Sequence, residues 1–123
     1  MNTAALLKQL SHTPGISGHE TEICAVVLRE WGHWTAETRV DKMGNALAAR
    51  RGVPRRGTDR GSTPRRSIML ATHMDEIGLM VSDVVEHTAQ GFLRVTNLGG
   101  VDIRQVYAQL VTVHGKQDFS GLM

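Results

Sequence analysis

Apolar residues recur at helical spacing over the first third of the chain. The leucines between residues 2 and 10 share one side of a predicted helix, which Pro14 and Gly15 end. A second helix is predicted to follow, and its buried stripe consists of Ile23, Val26, Val27 and Trp31. The pattern therefore predicts two short amphipathic helices at the start of the chain.

Ser17 and Glu20 have the spacing of a capping box. In that motif a serine hydroxyl and a glutamate carboxylate each accept a hydrogen bond from a backbone amide at the start of a helix. Because the two residues stand just before the apolar stripe, we expect Ser17 to cap the second helix.

From Thr35 onwards the pattern changes to short strands separated by turn residues. Residues 38–40 and 45–49 flank a turn that contains Asp41 and Asn45, which predicts a hairpin. Further strands are predicted at residues 79–85, 92–95 and 110–113, whereas residues 103–107 fit neither helix nor strand clearly. The first half of the chain thus favours α/β structure, and the second half favours a small, mostly antiparallel β-unit.

An apolar run from Ile68 to Ala71 ends at a polar cluster that contains His73, Asp75 and Glu76. The run predicts a buried strand, and a strand that stops at polar residues holds functional groups on a rigid support. Side chains two positions apart in a strand emerge on the same face, so His73 and Asp75 are expected to point the same way. A His-x-Asp pair alone is a weak sign of a metal site, since histidines more often satisfy ordinary hydrogen bonds.

The composition suits one modest domain or parts of two, because the chain has 123 residues of which 41% are hydrophobic. A formal net charge of +2 gives no general electrostatic reason for binding nucleic acid or membranes. No apolar run reaches the length of a membrane span, and the first residues lack the pattern of a secretory signal. The single cysteine, Cys24, excludes an intrachain disulfide and suits a reducing compartment. We therefore expect a cytoplasmic protein with no membrane partner.

Residues 50–66 carry seven arginines, three glycines and two prolines but almost no apolar side chain. This composition predicts a mobile surface loop, the arginine-rich loop of residues 51–66. Its arginines could contact phosphates, yet no aromatic side chains interleave with them. Nucleic-acid binding is therefore the least favoured function, and we expect no nucleic-acid partner.

Five segments of the chain carry a family resemblance: PGISGHE, VDKMGNALA, IMLATHMDEIGLMV, GFLRVTNLGGVDIR and QLVTVHG. In this order they resemble the N-terminal part of the glutamyl/deblocking aminopeptidases. These are TET-type metallo-aminopeptidases that depend on cobalt or zinc, and some of them carry an old cellulase name. The match runs through nearly all of the chain apart from the arginine-rich loop, and its specificity comes from the order of the segments.

The resemblance implies an α/β co-catalytic metallopeptidase domain that is interrupted by a small β-barrel dimerisation domain. Residues 1–75 would begin the peptidase domain, and residues 76–123 would form most of the inserted barrel. Family members are much longer, and their remaining metal ligands and general base lie beyond the point where this chain ends. The resemblance therefore implies the N-terminal portion of an aminopeptidase, inactive alone, which acts on peptide substrates and forms homo-oligomers through the barrel.

By the same resemblance, His73 is a ligand of one of two divalent metal ions, zinc or cobalt, and Asp75 has a catalytic role behind it. Asp75 would accept the second ring N–H of His73 and so fix the tautomer and orientation of the ligand. Two such ions lower the pKa of a shared water and polarise the peptide carbonyl. The other histidines have spacings that form no recognisable ligand set: His12, His19, His33, His87 and His114.

A non-catalytic oligomerisation or interaction module is the main alternative to the enzyme. In that case the barrel associates and the incomplete site is idle. The coding sequence beyond residue 123 separates the two, because an enzyme needs further carboxylate and histidine ligands.

Overall fold

A computed structural model describes residues 2–52, 67–85 and 91–123 of the chain. Helices in these ranges are α1 (Thr3–His12), α2 (Thr21–Gly32) and α3 (Ile103–Val106). The strands are β1 (Glu37–Val40), β2 (Ala46–Ala49), β3 (Gly78–Val85), β4 (Phe92–Leu98), β5 (Leu110–Val113) and β6 (Phe119–Leu122). The chain divides into two compact units, a first unit Met1–Glu76 and a second unit Ile77–Met123. The described chain is thus a small mixture of helices and strands.

The first helix forms where the leucine pattern predicts it, and it continues two residues further. Asn2 caps α1, because its side-chain oxygen accepts a hydrogen bond from the Ala5 amide at 3.2 Å. The helix ends at His12, just before the segment in which Pro14 cannot donate a backbone hydrogen bond.

Helix α2 supplies the small core of the first unit. Ile23, Cys24 and Val26 are its buried side chains, whereas Val27 and Trp31 are only half-buried. Cys24, which the sequence places beside the stripe, is therefore one of its buried members. The helix contacts both strands of the β1–β2 hairpin.

The capping box predicted at Ser17 and Glu20 is wrong. Helix α2 begins at Thr21, with Glu20 at the capping position and no side-chain hydrogen bond to the helix start. Ser17 stands too far from that start, since a capping residue directly precedes the first helical residue. The Glu20 carboxylate instead accepts a hydrogen bond from the Gly18 amide at 2.7 Å.

The predicted hairpin is confirmed, with β1 and β2 antiparallel and Val40 opposite Ala46. Asp41 holds the turn through Oδ1, which accepts hydrogen bonds from the amides of Met43 at 2.8 Å and Asn45 at 2.9 Å. Its Oδ2 accepts a third from the Asn45 side chain at 2.8 Å. These bonds, with that of the Asn45 side chain first, hold the pKa of Asp41 below its usual value.

The buried strand predicted at Ile68–Ala71 is wrong. No strand forms between residues 67 and 75, and the side chains of Ile68, Met69 and Leu70 are 90%, 89% and 92% exposed. An apolar run becomes a buried strand only when another strand pairs with it and other side chains cover it. Within the described residues, no strand pairs with this run and its apolar side chains stay exposed.

The second unit contains two antiparallel hairpins, β3 with β4 and β5 with β6. Strand β4 continues to Leu98, beyond the predicted end at residue 95, and the following Gly99 has a φ of 75°. The ambiguous residues 103–107 contain the short helix α3, which Asp102 caps by accepting the Arg104 amide.

Strand β6 was not predicted from the sequence, because its four residues include Ser120 and Gly121 and lack an alternating pattern. The described hairpins are separate two-stranded sheets, so the barrel stays an expectation.

One expectation falls mostly on residues outside the described ranges, because most of the arginine-rich loop lies at residues 53–66. Among the helices that the structure describes, none is long and apolar enough to cross a membrane.

Candidate functional site

The two candidate site residues lie against each other. The Nδ1 atom of His73 is 3.1 Å from Oδ1 of Asp75 and 3.0 Å from the backbone oxygen of the same residue. Because both neighbours are acceptors, Nδ1 carries the proton in the neutral ring, a tautomer assigned from its partners. The lone pair is then on Nε2. The two side chains point the same way, as the sequence predicts, but through this local contact and not through a strand.

The carboxylate of Asp75 has a second partner on its other oxygen. The Ser17 hydroxyl donates a hydrogen bond to Oδ2 at 2.5 Å, across 58 positions of sequence. This bond, together with the weaker effect of the His73 ring, holds the pKa of Asp75 below its usual value in spite of partial burial. Asp75 is therefore an anion at neutral pH, with one oxygen facing His73 and the other facing Ser17.

Backbone contacts hold the segment that carries Ser17, the anchor segment of residues 14–17, beside Glu76. The Glu76 amide donates to the Gly15 oxygen at 2.9 Å, and the Gly15 amide donates to Oε1 of Glu76 at 3.2 Å. Ile16 and Glu76 form an isolated parallel bridge. Glu76 thus shapes the backbone at this point of the chain.

Gly15 joins the anchor segment to the core of the first unit. A Cβ added at Gly15 would lie only 2.7 Å from Cγ2 of Ile23, so only glycine allows this close approach to α2. Ile23 is buried, at 5% exposure. Packing at α2 is therefore connected, through residues 15 and 76, to the position of Asp75 and His73.

His73 fits the requirements of a metal ligand. Histidines that bind zinc or related ions use one ring nitrogen and usually donate the other N–H to a carboxylate or a carbonyl oxygen. Here Nδ1 faces both a carboxylate and a carbonyl of Asp75, and the side chain is 81% exposed. Nε2 makes no hydrogen bond to any described residue.

The described residues provide one candidate ligand, His73, and no complete metal site. Across residues 2–52, 67–85 and 91–123, no group of three or more His, Cys, Asp or Glu side chains could hold a metal ion. A catalytic zinc needs three protein ligands and a water. His73 would therefore supply only one of the ligands that a metal centre needs.

Two contacts of aspartate side chains were not predicted from the sequence. The Ser17 to Asp75 bond has no local sequence signal, because the two residues are far apart in the chain. A second pair, His114 and Asp118, has Nδ1 and Oδ1 3.1 Å apart on the connection between β5 and β6. Its spacing of four residues was a signal available from the sequence.

Comparison with known proteins gives the class of protein. The family model for M42 glutamyl aminopeptidase matches residues 56–123, a range that includes His73 and Asp75. The lysyl aminopeptidase of Pyrococcus furiosus is 33% identical over 110 residues, which cover 86% of this chain and 27% of that protein. A protein of Acetivibrio thermocellus, provisionally named an aminopeptidase, is 36% identical over 96 residues, 78% of this chain and 25% of that protein.

The chain belongs to the M42 glutamyl aminopeptidase family, since the family model covers more than half of it. This confirms the resemblance found in the sequence and supports peptide hydrolysis as the activity of the family. The chain spans about a quarter of the length of the relatives it matches. The activity of this chain and the roles of its residues are therefore matters for proposal.

Proposed function

We propose that these residues carry one metal ligand of a metal-dependent aminopeptidase that removes N-terminal residues from peptides. The observation that supports this proposal most strongly is the orientation of His73, whose Nδ1 faces Asp75 and whose Nε2 is available to a metal ion. Membership in the M42 family supports the choice of reaction. The reaction is hydrolysis of the first peptide bond of a substrate.

In this proposal His73 holds one of two divalent ions, zinc or cobalt, through Nε2. When bound, such a metal pair supplies Lewis acidity to a water and to the peptide carbonyl. Asp75 accepts the Nδ1–H of His73, which keeps the ring in one tautomer and one orientation. Because Asp75 is anionic at neutral pH, it also makes the imidazole a stronger donor to a cation. Its role is thus to position and strengthen the ligand.

The proposal extends to domain organisation. Residues 1–75 would begin an α/β peptidase domain in the cytoplasm, and residues 76–123 would form most of a β-barrel that joins copies of the protein. The antiparallel hairpins of the second unit support the barrel. Exposed apolar side chains in that unit support association: Val84, Phe92, Ile103, Tyr107, Leu110, Phe119 and Leu122.

Those exposed side chains also favour the second candidate function, a non-catalytic interaction module. A module of this kind would use the apolar surface of the second unit and leave His73 idle. The coding frame after residue 123 distinguishes the two functions. A frame that continues with further histidine and carboxylate ligands supports the enzyme, whereas one that closes at once supports the module.

Hydrolysis of amino-acid anilides tests the proposed activity directly. The 123-residue chain and the longer product of a continued frame are assayed with and without added Zn²⁺ or Co²⁺. We expect metal-dependent turnover by the longer product and none by the 123-residue chain, because a catalytic zinc needs three protein ligands and the described residues offer only one candidate. Turnover by the short chain would contradict the ligand count, and a longer product without metal-dependent turnover would contradict the enzyme.

A further inference from the structure

Ser17 has a hydrogen bond that the folding of its neighbours does not explain. Helix α2 begins at Thr21 without help from Ser17, and the serine side chain is exposed. Its hydroxyl donates to Oδ2 of Asp75 at 2.5 Å, within the range of hydrogen bonds from a hydroxyl to an ionised carboxylate. The serine that the sequence pattern suggests as a helix cap thus forms a hydrogen bond with a residue 58 positions away.

We propose that Ser17 is a positioning residue of the metal site. Its hydroxyl fixes the carboxylate of Asp75 so that Oδ1 faces Nδ1 of His73, which leaves the lone pair of the ring on Nε2. The purpose of this positioning rests on the proposed function, in which Nε2 binds a divalent cation. The positioning itself is a property of the metal-free chain.

A carboxylate with one partner is free to turn, and a carboxylate with two is not. The terminal torsion of an aspartate is broad and roughly two-fold, so either oxygen can face a given neighbour. At Asp75 the two oxygens have different partners, Ser17 on Oδ2 and His73 on Oδ1. Loss of the serine hydroxyl leaves only the histidine to orient a side chain that is 36% exposed.

The anchor segment gives Ser17 a fixed position from which to act. Gly15 and Glu76 exchange two hydrogen bonds, and each is close in sequence to one member of the Ser17–Asp75 contact. Gly15 in turn lies against the buried Ile23. Because both ends of the contact are attached to held backbone, the hydroxyl reaches Asp75 without ordering a flexible loop.

The first experiment measures the tautomer of His73 in the 123-residue chain. Long-range ¹H–¹⁵N spectra of histidine-labelled protein report which ring nitrogen carries the proton, and they are recorded near pH 8, where an ordinary histidine is neutral. A His73→Gln variant assigns the signal. The test pair is Ser17→Thr and Ser17→Val, which have the same shape and differ only in the hydroxyl, with Ser17→Ala as a smaller second deletion.

The expected result is a hydroxyl-dependent tautomer. Wild type and Ser17→Thr should hold the Nδ1–H form, and Ser17→Val and Ser17→Ala should show a clear gain of the Nε2–H form. Ser11→Ala is the matched control, because Ser11 also donates one hydrogen bond, to the Leu7 oxygen at 2.9 Å, but within α1. An unchanged tautomer in folded Ser17→Val and Ser17→Ala, or an equal change in Ser11→Ala, overturns the proposal.

A zinc titration of the same samples separates this inference from the proposed function. The ¹⁵N shift of His73 Nε2 is followed as Zn²⁺ is added. Ser17→Val should require about 10-fold more Zn²⁺ than Ser17→Thr, which is the lower limit of the usual loss of affinity when a residue that supports a metal ligand is removed. A tautomer change without any response of His73 to Zn²⁺ would support the positioning and contradict the metal role. A zinc response that is equal in Ser17→Thr and Ser17→Val would support the metal role and overturn the assignment of Ser17.

Discussion

Two histidine–aspartate pairs in the described chain have the same distance between Nδ1 and Oδ1, but the residues around them differ. In each, a histidine Nδ1 lies 3.1 Å from an aspartate Oδ1: His73 with Asp75, and His114 with Asp118. Asp75 also accepts the Ser17 hydroxyl and is followed by Glu76, which the anchor segment holds. Among the described residues, Asp118 accepts no further hydrogen bond. The two pairs therefore share the histidine–carboxylate distance, and what distinguishes them is the second partner of the Asp75 carboxylate.

The largest expected difference between the pairs is in catalysis by the longer product. His73→Ala should lower kcat/KM by about 1,000-fold or more, since Lewis-acid stabilisation worth several kcal/mol is lost with the metal. His114→Ala, the matched control, should change it less than about 2-fold, because that pair has no place in the proposed site. Anilide hydrolysis at a fixed Zn²⁺ concentration measures both variants. Equal effects of the two substitutions would remove the distinction between the pairs.

Substitution of the two aspartates should give a smaller difference in activity than substitution of the two histidines. Asp75→Asn should weaken metal binding or turnover by about 10–100-fold, the usual cost of losing the partner of a ligand. Asp118→Asn should leave both nearly unchanged. Metal titration with a fluorescent chelator as competitor checks the affinity, and thermal melts check that both variants fold. An Asp75→Asn protein with wild-type metal affinity would show that the carboxylate behind His73 has no positioning role.

The connection between the site and the core can be broken at Gly15. Gly15→Ala should destabilise the chain by about 1–3 kcal/mol, because the new methyl group overlaps a buried isoleucine at 2.7 Å. Gly32→Ala is the control, since nothing lies within 4 Å of a Cβ added there. It should be neutral or should stabilise α2 by up to about 1 kcal/mol. Urea denaturation followed by circular dichroism measures both, and a Gly15→Ala chain as stable as wild type would contradict the close packing of the anchor segment on α2.

Asp41 provides a carboxylate that is held by hydrogen bonds without a histidine. Its pKa is lowered in the folded chain, first by the Asn45 side chain, so its contribution is present above the ordinary value of 3.8 and is lost as the pH falls through the lower folded pKa. Asp41→Asn should therefore melt below wild type at pH 6, and the difference should shrink as the pH approaches 2.5. Melting temperatures across this range measure the effect. A difference that grows towards acid would have the wrong sign for a stabilising ionised carboxylate.

Local patterns predicted the structures that neighbouring residues determine. The leucines of α1, the stripe of α2 and the Asp41–Asn45 turn depend on contacts a few positions apart, and all three were found from the sequence. The proximity of His73 and Asp75 was also found, because two positions separate them. The expected strand does not form, so the two side chains meet through a local contact alone.

Contacts between distant residues were not predictable in the same way. The apolar run at Ile68–Ala71 has the composition of a strand, but composition does not show whether another strand is present to pair with it. Ser17 has the sequence spacing of a helix cap. Its hydroxyl donates to Asp75 instead, because the anchor segment brings the two residues together. Local and long-range signals disagree at the candidate site, which is where natural sequences depart from local rules most often.

The metal content of the longer product shows most directly whether His73 is a metal ligand. Protein purified in excess Zn²⁺ and then desalted is analysed by atomic absorption for wild type, His73→Ala and His114→Ala. We expect about two metal ions per chain in wild type and in His114→Ala, and about one in His73→Ala, because a co-catalytic site holds two ions and loses one with its ligand. A His73→Ala protein that retains the wild-type metal content would show that His73 is not a metal ligand.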